Sequence, residues 1–314
     1  MKFLLFTKRL EHLSLEELAA TVAGLGLDGV DLTVRGAGHN LPEAAAGTAG
    51  HVTPDRVQTD LPRAVEICRA HGLEIGWITT DITSAASPYA REVIATLSAC
   101  GIRQFKLGYH HYDGFGHLRR QLDDMRRDLE GLEKLCQEYG IQAGVHVHAG
   151  YCLSAEAMQV ERMVADFDPA AIGIYADLGH MGLEGAYGGW VQSLDLISER
   201  LIMLSLKNVG LFPYTAQDDS SRRSHVRPDQ LEVASSASDA VISWESKFVP
   251  LKEGITPYRE AFQYLKQIGY DNYACFHTEY QGAWSWRELS YPELIAQLKE
   301  DLAYVREITA ELNM

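Results

Sequence analysis

Eight short apolar segments alternate with helical stretches along the whole chain, and this rhythm constrains the fold more than any other feature. The segments are Lys2–Phe6, Gly29–Thr33, Leu73–Ile78, Gln104–Leu107, Gln142–His148, Ala171–Asp177, Leu201–Asn208 and Tyr273–Glu279. Between them lie amphipathic runs with recognisable ends. Ser14 with Glu17 and Ser290 with Glu293 form capping boxes, while Gly26, Gly140 and Gly269 mark stops. Strands separated by helices pair in parallel, and right-handed crossovers close eight such units into a barrel. The 314 residues suit one domain spanning the chain, a single (β/α)8 TIM barrel. A longer excursion, roughly 210–254, follows strand seven; it is read as a lid, a subunit contact or both. The first strand–helix turn, Thr7 to Glu11, carries no GxGxxG, which argues against a dinucleotide-binding sheet.

Composition narrows the partners. Lys plus Arg total 28 against 43 Asp plus Glu, a formal charge of -15. That field disfavours nucleic acid and anionic membranes. The apolar run at the N-terminus is too short for a signal peptide, and no stretch is long enough to span a bilayer. Cys68, Cys100, Cys136, Cys152 and Cys275 are scattered, odd in number and without a CxxC pair. A reducing, cytoplasmic setting is the expectation. Homo-oligomerisation is left open.

Side chains alternate across a strand, so one phase of each strand points into the barrel. The inward phase carries Asp31, Thr33 and Arg35; Lys106; His146 and His148; Tyr175 and Asp177; Ser205 and Lys207; His277 and Glu279. Buried charge without partners costs several kcal/mol. A converging polar set late in strand after strand therefore marks a site, at the barrel end where such sites gather. His146, Asp177 and His277 are candidate ligands for one divalent ion of the Mn, Zn, Fe, Co or Ni kind, with positions left for two substrate oxygens. Glu279 is the candidate general base, and His148 and His180 orient groups or shuttle protons. Lys207 would stabilise an enediolate. Lys106, Arg35 and His39 are candidate substrate contacts, the last two suited to a phosphate, carboxylate or hydroxyl group.

The motifs Asp177-Leu178-Gly179-His180, Leu206-Lys207-Asn208, Val249-Pro250-Leu251-Lys252-Glu253-Gly254 and Ile268-Gly269-Tyr270-Asp271-Asn272-Tyr273 follow one another in an order that resembles the xylose-isomerase-like superfamily. Within it, the nearest resemblance is to the sugar phosphate isomerase/epimerase group, at Asp31 to Arg35 with Gly38-His39, at His146 to Gly150 and at His277 to Tyr280. The resemblance implies a divalent metal held by Glu, Asp, His and Glu from strands five to eight. Asp177 matches the aspartate. His146 and His277 stand where glutamates are expected, Ser205 where the histidine is expected, and Asn208 replaces the usual aspartate after Lys207. The implied activity is a metal-dependent isomerase or epimerase of a sugar or sugar derivative, working through an enediolate. The alternatives are a lyase or dehydratase on a keto-sugar, keto-glycoside or inosose, a non-catalytic sugar-binding barrel, and an abasic-site endonuclease.

Overall fold

The computed structural model describes residues 1–36, 50–215, 241–277, 279–282 and 284–314. The barrel strands are β1 (Lys2–Phe6), β2 (Gly29–Val34), β3 (Glu74–Thr80), β4 (Gln104–Lys106), β5 (Gln142–His146), β6 (Ile172–Asp177), β7 (Leu201–Leu206) and, after an antiparallel hairpin of β8 (Asn208–Thr215) and β9 (Val241–Val249), β10 (Tyr273–Phe276). They close in the order β1-β10-β7-β6-β5-β4-β3-β2, every barrel pair parallel. The expected eight-stranded barrel is thus the observed one. His39 falls outside the described residues.

Helices α1 (Leu15–Leu25), α2 (Val57–Ala70), α3 (Ala90–Ala99), α4 (Leu118–Tyr139), α5 (Ala157–Val164), α6 (Leu178–Glu184), α7 (Gly189–Ile197), α8 (Tyr258–Gln267) and α9 (Tyr291–Leu312) accompany the strands. Both predicted capping boxes form. Each gives the orphan amides of a first turn an acceptor, worth about 1 kcal/mol. α3 starts at Ala90 and not at the preceding Ser87-Pro88, a pair suited to opening a helix. Tyr89 in between takes a left-handed conformation, and Ser87 Oγ instead accepts from the amides of Thr83 and Ser84.

Two apolar layers follow from strand alternation. The outward phase packs on the helices in one large core. The lower barrel is plugged by Leu4, Phe6, Trp77, Tyr175, Ile202, Met203 and Cys275, Ile202 being the extra residue where the register of β7 shifts against β6. Burying a side chain such as Leu4 contributes about 1.5–3 kcal/mol, so the plug alone is a substantial part of barrel stability. Lys106, His148, Lys207, His277 and Glu279 gather at the opposite end, where β1 to β7 and β10 finish.

Two sequence motifs owe their form to this end of the barrel. Asp177 closes β6 and caps α6, its Oδ1 accepting from the His180 amide at 3.1 Å. Gly179 lies so close to β7 that a Cβ would stand 2.7 Å from the Lys207 carbonyl oxygen. Asn208 ties the base of the hairpin: its Nδ2 donates to Leu251 O and Thr256 O, and its Oδ1 accepts from the Thr256 amide. A Cβ on Gly254 would fall 2.1 Å from Asn208 side-chain atoms, which explains the glycine that ends the Val249–Gly254 motif. In the excursion after strand seven, the described residues form β8 and β9, with Asn208 opposite Val249 and Pro213 opposite Trp244.

Candidate active site

A cavity of about 650 Å³ opens at the C-terminal end of the barrel strands, a size that suits a small sugar. Lys106, His148, His180, Lys207, His277 and Glu279 all line it. The hairpin supplies one wall through Phe248 and the exposed Trp244.

At the centre is a chain of charges. Lys207, 2% exposed, places Nζ 3.3 Å from Asp177 Oδ2 and 3.0 Å from Glu279 Oε2. Lys8 approaches the other Glu279 oxygen at 3.6 Å. Burial by itself would raise both carboxyl groups, but Lys207 overrides it, joined at Glu279 by Lys8 and Arg9, so both stay well below the usual carboxylate range. Burial pulls on Lys207 in the opposite sense. Its two carboxylates outweigh that and hold it above its ordinary value. All three groups are charged at neutral pH. An ammonium has three donors, so with two committed to carboxylates Lys207 has one left for the cavity.

The imidazoles behave differently. Burial pushes His146 down to about 3 and His148, His180 and His277 well below the ordinary histidine range. They are neutral rings at physiological pH. His146 Nδ1 lies 3.1 Å from the Tyr109 hydroxyl and Nε2 lies 3.3 Å from Asp177 Oδ2. Those partners assign the proton to Nε2. His277 stacks on Phe6 and its Nε2 meets the Tyr175 hydroxyl at 2.5 Å. His148 and His180 face each other with ring centres 4.0 Å apart.

Lys106 ends β4, across the ring from β10. It is 3% exposed, donates to Leu107 O at 3.0 Å and lies 3.9 Å over the Tyr109 ring. Burial lowers its amine to about 8. Arg35, expected to meet substrate, is bound through Nε to Glu11 Oε1 at 3.0 Å and through a second nitrogen to Oε2. It also lines the cavity.

The four positions that the resemblance assigns to a divalent metal do not fit one here. A single carboxylate, Asp177, remains among them, and an ammonium sits 3.3 Å from it. Both His146 nitrogens have partners, and His277 Nε2 is taken by Tyr175. The Ser205 hydroxyl is buried without a partner, and a neutral hydroxyl is a weak substitute for imidazole. Among the described residues, the one group of three whose donor atoms lie within 4.8 Å of one another is Asp31, Cys275 and His277. It joins β2 to β10 and shares only His277 with the expected set.

Of the residues lining this cavity, alternation along the strands had picked out Thr33, Arg35, Lys106, His148, Lys207, His277 and Glu279. It did not bring out Lys8, Arg9, Tyr109 or Phe248, which come from loops and the hairpin. For Phe248 a signal was present, since Trp244, Ser246 and Phe248 alternate with Glu245 and Lys247 in a strand-like period.

A family model described as xylose isomerase-like TIM barrel matches residues 19–308. The chain belongs to that family. Comparison with curated proteins gave no match. Among solved structures, this xylose isomerase-like barrel is similar to a probable 3-DHS dehydratase, AsbF, involved in petrobactin synthesis from Bacillus anthracis (16% identity, 98% of this chain and 99% of that chain, TM-score 0.62). It is also similar to the 3-keto-D-glucoside 4-epimerase YcjR from E. coli (11%, 98% and 99%, 0.64) and to a D-psicose 3-epimerase studied in the presence of D-fructose (12%, 98% and 99%, 0.65). At these identities the likeness concerns the fold. No described helix is long and apolar enough to cross a membrane.

Proposed function

We propose that the protein is an epimerase of a keto-sugar or keto-sugar derivative, working by proton transfer at the carbon beside the carbonyl. The observation that carries this reading is the placement of Glu279 and Lys106. Glu279 follows β10 and Lys106 ends β4, and these strands are four places apart in the ring of eight. A substrate held between them presents one face to a carboxylate and the other to an amine. Epimerisation needs a base on one face and an acid on the other.

In this scheme Glu279 removes the proton as an ionised carboxylate. Negative charge grows on the carbonyl oxygen, and the remaining Lys207 donor meets it in a water-poor site, where such a contact counts most. As Lys207 turns to the oxyanion it releases Glu279, whose basicity rises as the proton arrives. Lys106, with its amine at about 8, returns a proton to the opposite face. That value keeps the acid close to neutral working pH. The neutral imidazoles of His148 and His180 hold substrate hydroxyls. A divalent ion, where one is bound, would polarise the carbonyl; the residues at the implied positions do not fit it, and no step depends on it.

The three similar solved structures named above are two sugar epimerases and a dehydratase, which supports carbon-acid chemistry without choosing the outcome. An elimination would draw on a histidine acid at neutral pH. Burial keeps these histidines neutral, which favours the epimerase reading. The test is proton exchange in D2O with ketoses, inososes and keto-uronates, followed by NMR. Deuterium entering beside the carbonyl together with the second epimer is the expected result. Loss of water or of an aglycone, without epimer, would convert the reading to a lyase. No exchange with any of these substrates would remove it.

A further inference from the structure

Around Glu279 the positive charges outnumber the carboxylates they meet. Lys207 is shared between Asp177 and Glu279. Lys8 reaches the same Glu279 at 3.6 Å. Arg9, the next residue, also lines the cavity and acts on Glu279 electrostatically. Three cations therefore face two carboxylates, in a protein of formal charge -15. The excess falls on Arg9. Its Nε is buried without a hydrogen-bond partner, and no ion pair among the described residues holds its guanidinium. The contrast with Arg35 in the same cavity is direct, since that guanidinium is clasped by Glu11. A buried guanidinium donor without an acceptor costs free energy of folding that a ligand acceptor recovers.

We infer that Arg9, with Lys8 beside it, binds an anionic group of the substrate, so that the substrate is a keto-sugar bearing a carboxylate or a phosphate monoester rather than a neutral sugar. Both groups offer paired oxygens matched to the guanidinium fork. The inference rests on the epimerase reading for the sugar part of the ligand, and its test uses binding rather than turnover, so the two fail separately.

The experiment is calorimetric titration with three probes on one carbon skeleton: D-fructose, D-fructuronate and D-fructose 6-phosphate. At least one anionic probe should bind roughly 10- to 100-fold more tightly than D-fructose, the range for a hydrogen bond to a charged group. Preference for D-fructuronate assigns a sugar acid, and preference for D-fructose 6-phosphate a sugar phosphate. In Arg9→Gln the advantage of the anionic probe over D-fructose should vanish; Arg9→Lys should keep part of it, which separates charge recognition from a folding defect. Equal binding of all three probes, binding of none, or an anion advantage that survives in Arg9→Gln would each overturn the inference.

Discussion

Lys106 ends β4 and Glu279 follows β10, strands four places apart in the closed ring, and both line one cavity. Their environments have opposite effects. Glu279 is kept ionised because Lys207, Lys8 and Arg9 outweigh its burial. Lys106 is brought down to about 8 because burial outweighs Asp81 and Asp31. One fold thus supplies an anionic base and a poised acid from two residues that lie over half the chain apart in sequence.

This division predicts that the two half-reactions can be separated. Lys106→Met should retain deuterium exchange at the starting configuration and lose epimer formation, whereas Glu279→Gln should lose both by about 10²- to 10⁴-fold. The wild-type rate of epimer formation should fall as pH rises through about 8, where the Lys106 ammonium gives up its proton. A kcat/KM profile unchanged in Lys106→Met would remove the amine from the reaction.

Asp31 makes a prediction about stability. It is fully buried, accepts from Thr79 Oγ1 at 2.9 Å, leaves Oδ1 without a partner and is raised to about 7 by burial. The folded state therefore holds a proton that the unfolded chain releases near 4. Stability from this group is fully present below about 4 and is lost as pH rises to about 7, to a total of about 4 kcal/mol. Asp31→Asn should flatten that part of the pH dependence and be more stable than wild type at about pH 8. Parallel urea melts of both proteins between about pH 4 and pH 8 check this, and parallel curves would contradict it.

The metal expectation can be examined by removal. Exchange activity should survive exhaustive chelation within about twofold, since neither Glu279 nor Lys106 acts through an ion. If activity disappears and returns with Mn²⁺ or Zn²⁺, the acid–base scheme is incomplete. Loss of that bound ion in Cys275→Ala would then place it at Asp31, Cys275 and His277. Loss in His146→Ala with retention in Cys275→Ala would place it at the positions that the resemblance assigns.

The barrel was legible because a period of two and a period of 3.6 are written directly into the order of apolar and polar residues. The inward phase of Asp31, Lys106, His146, Asp177, Lys207 and His277 could be read the same way. Partner choice could not. Whether Asp177 faces a metal ion or the Lys207 ammonium depends on how far β6 and β7 stagger, which alternation does not encode. Protonation was illegible for a similar reason. A histidine-rich set suggests acids near neutral pH, yet burial of His148 and His180 makes them neutral. Lys8 and Arg9 follow β1 in a 3-10 turn, and no strand phase predicts where such a turn points its side chains.

The central ion pairs make the last prediction. Lys207→Met would leave Asp177, 0% exposed, with His146 and the His180 amide as its hydrogen-bond partners among the described residues. Removing one partner of a buried pair costs about 3–5 kcal/mol, because the other charge remains desolvated. The loss should shrink at acidic pH. Without Lys207 the folded carboxyl rises above its unfolded value, so protonation relieves the folded state first. Adding Asp177→Asn should recover most of the stability at neutral pH, since Asn keeps an oxygen for the α6 cap without the charge. Activity should not return in the double variant, because the donor to the oxyanion is absent. Thermal melts of wild type, single and double variants at neutral and acidic pH decide this. A single variant as stable as wild type would mean that Asp177 is solvated rather than held by Lys207.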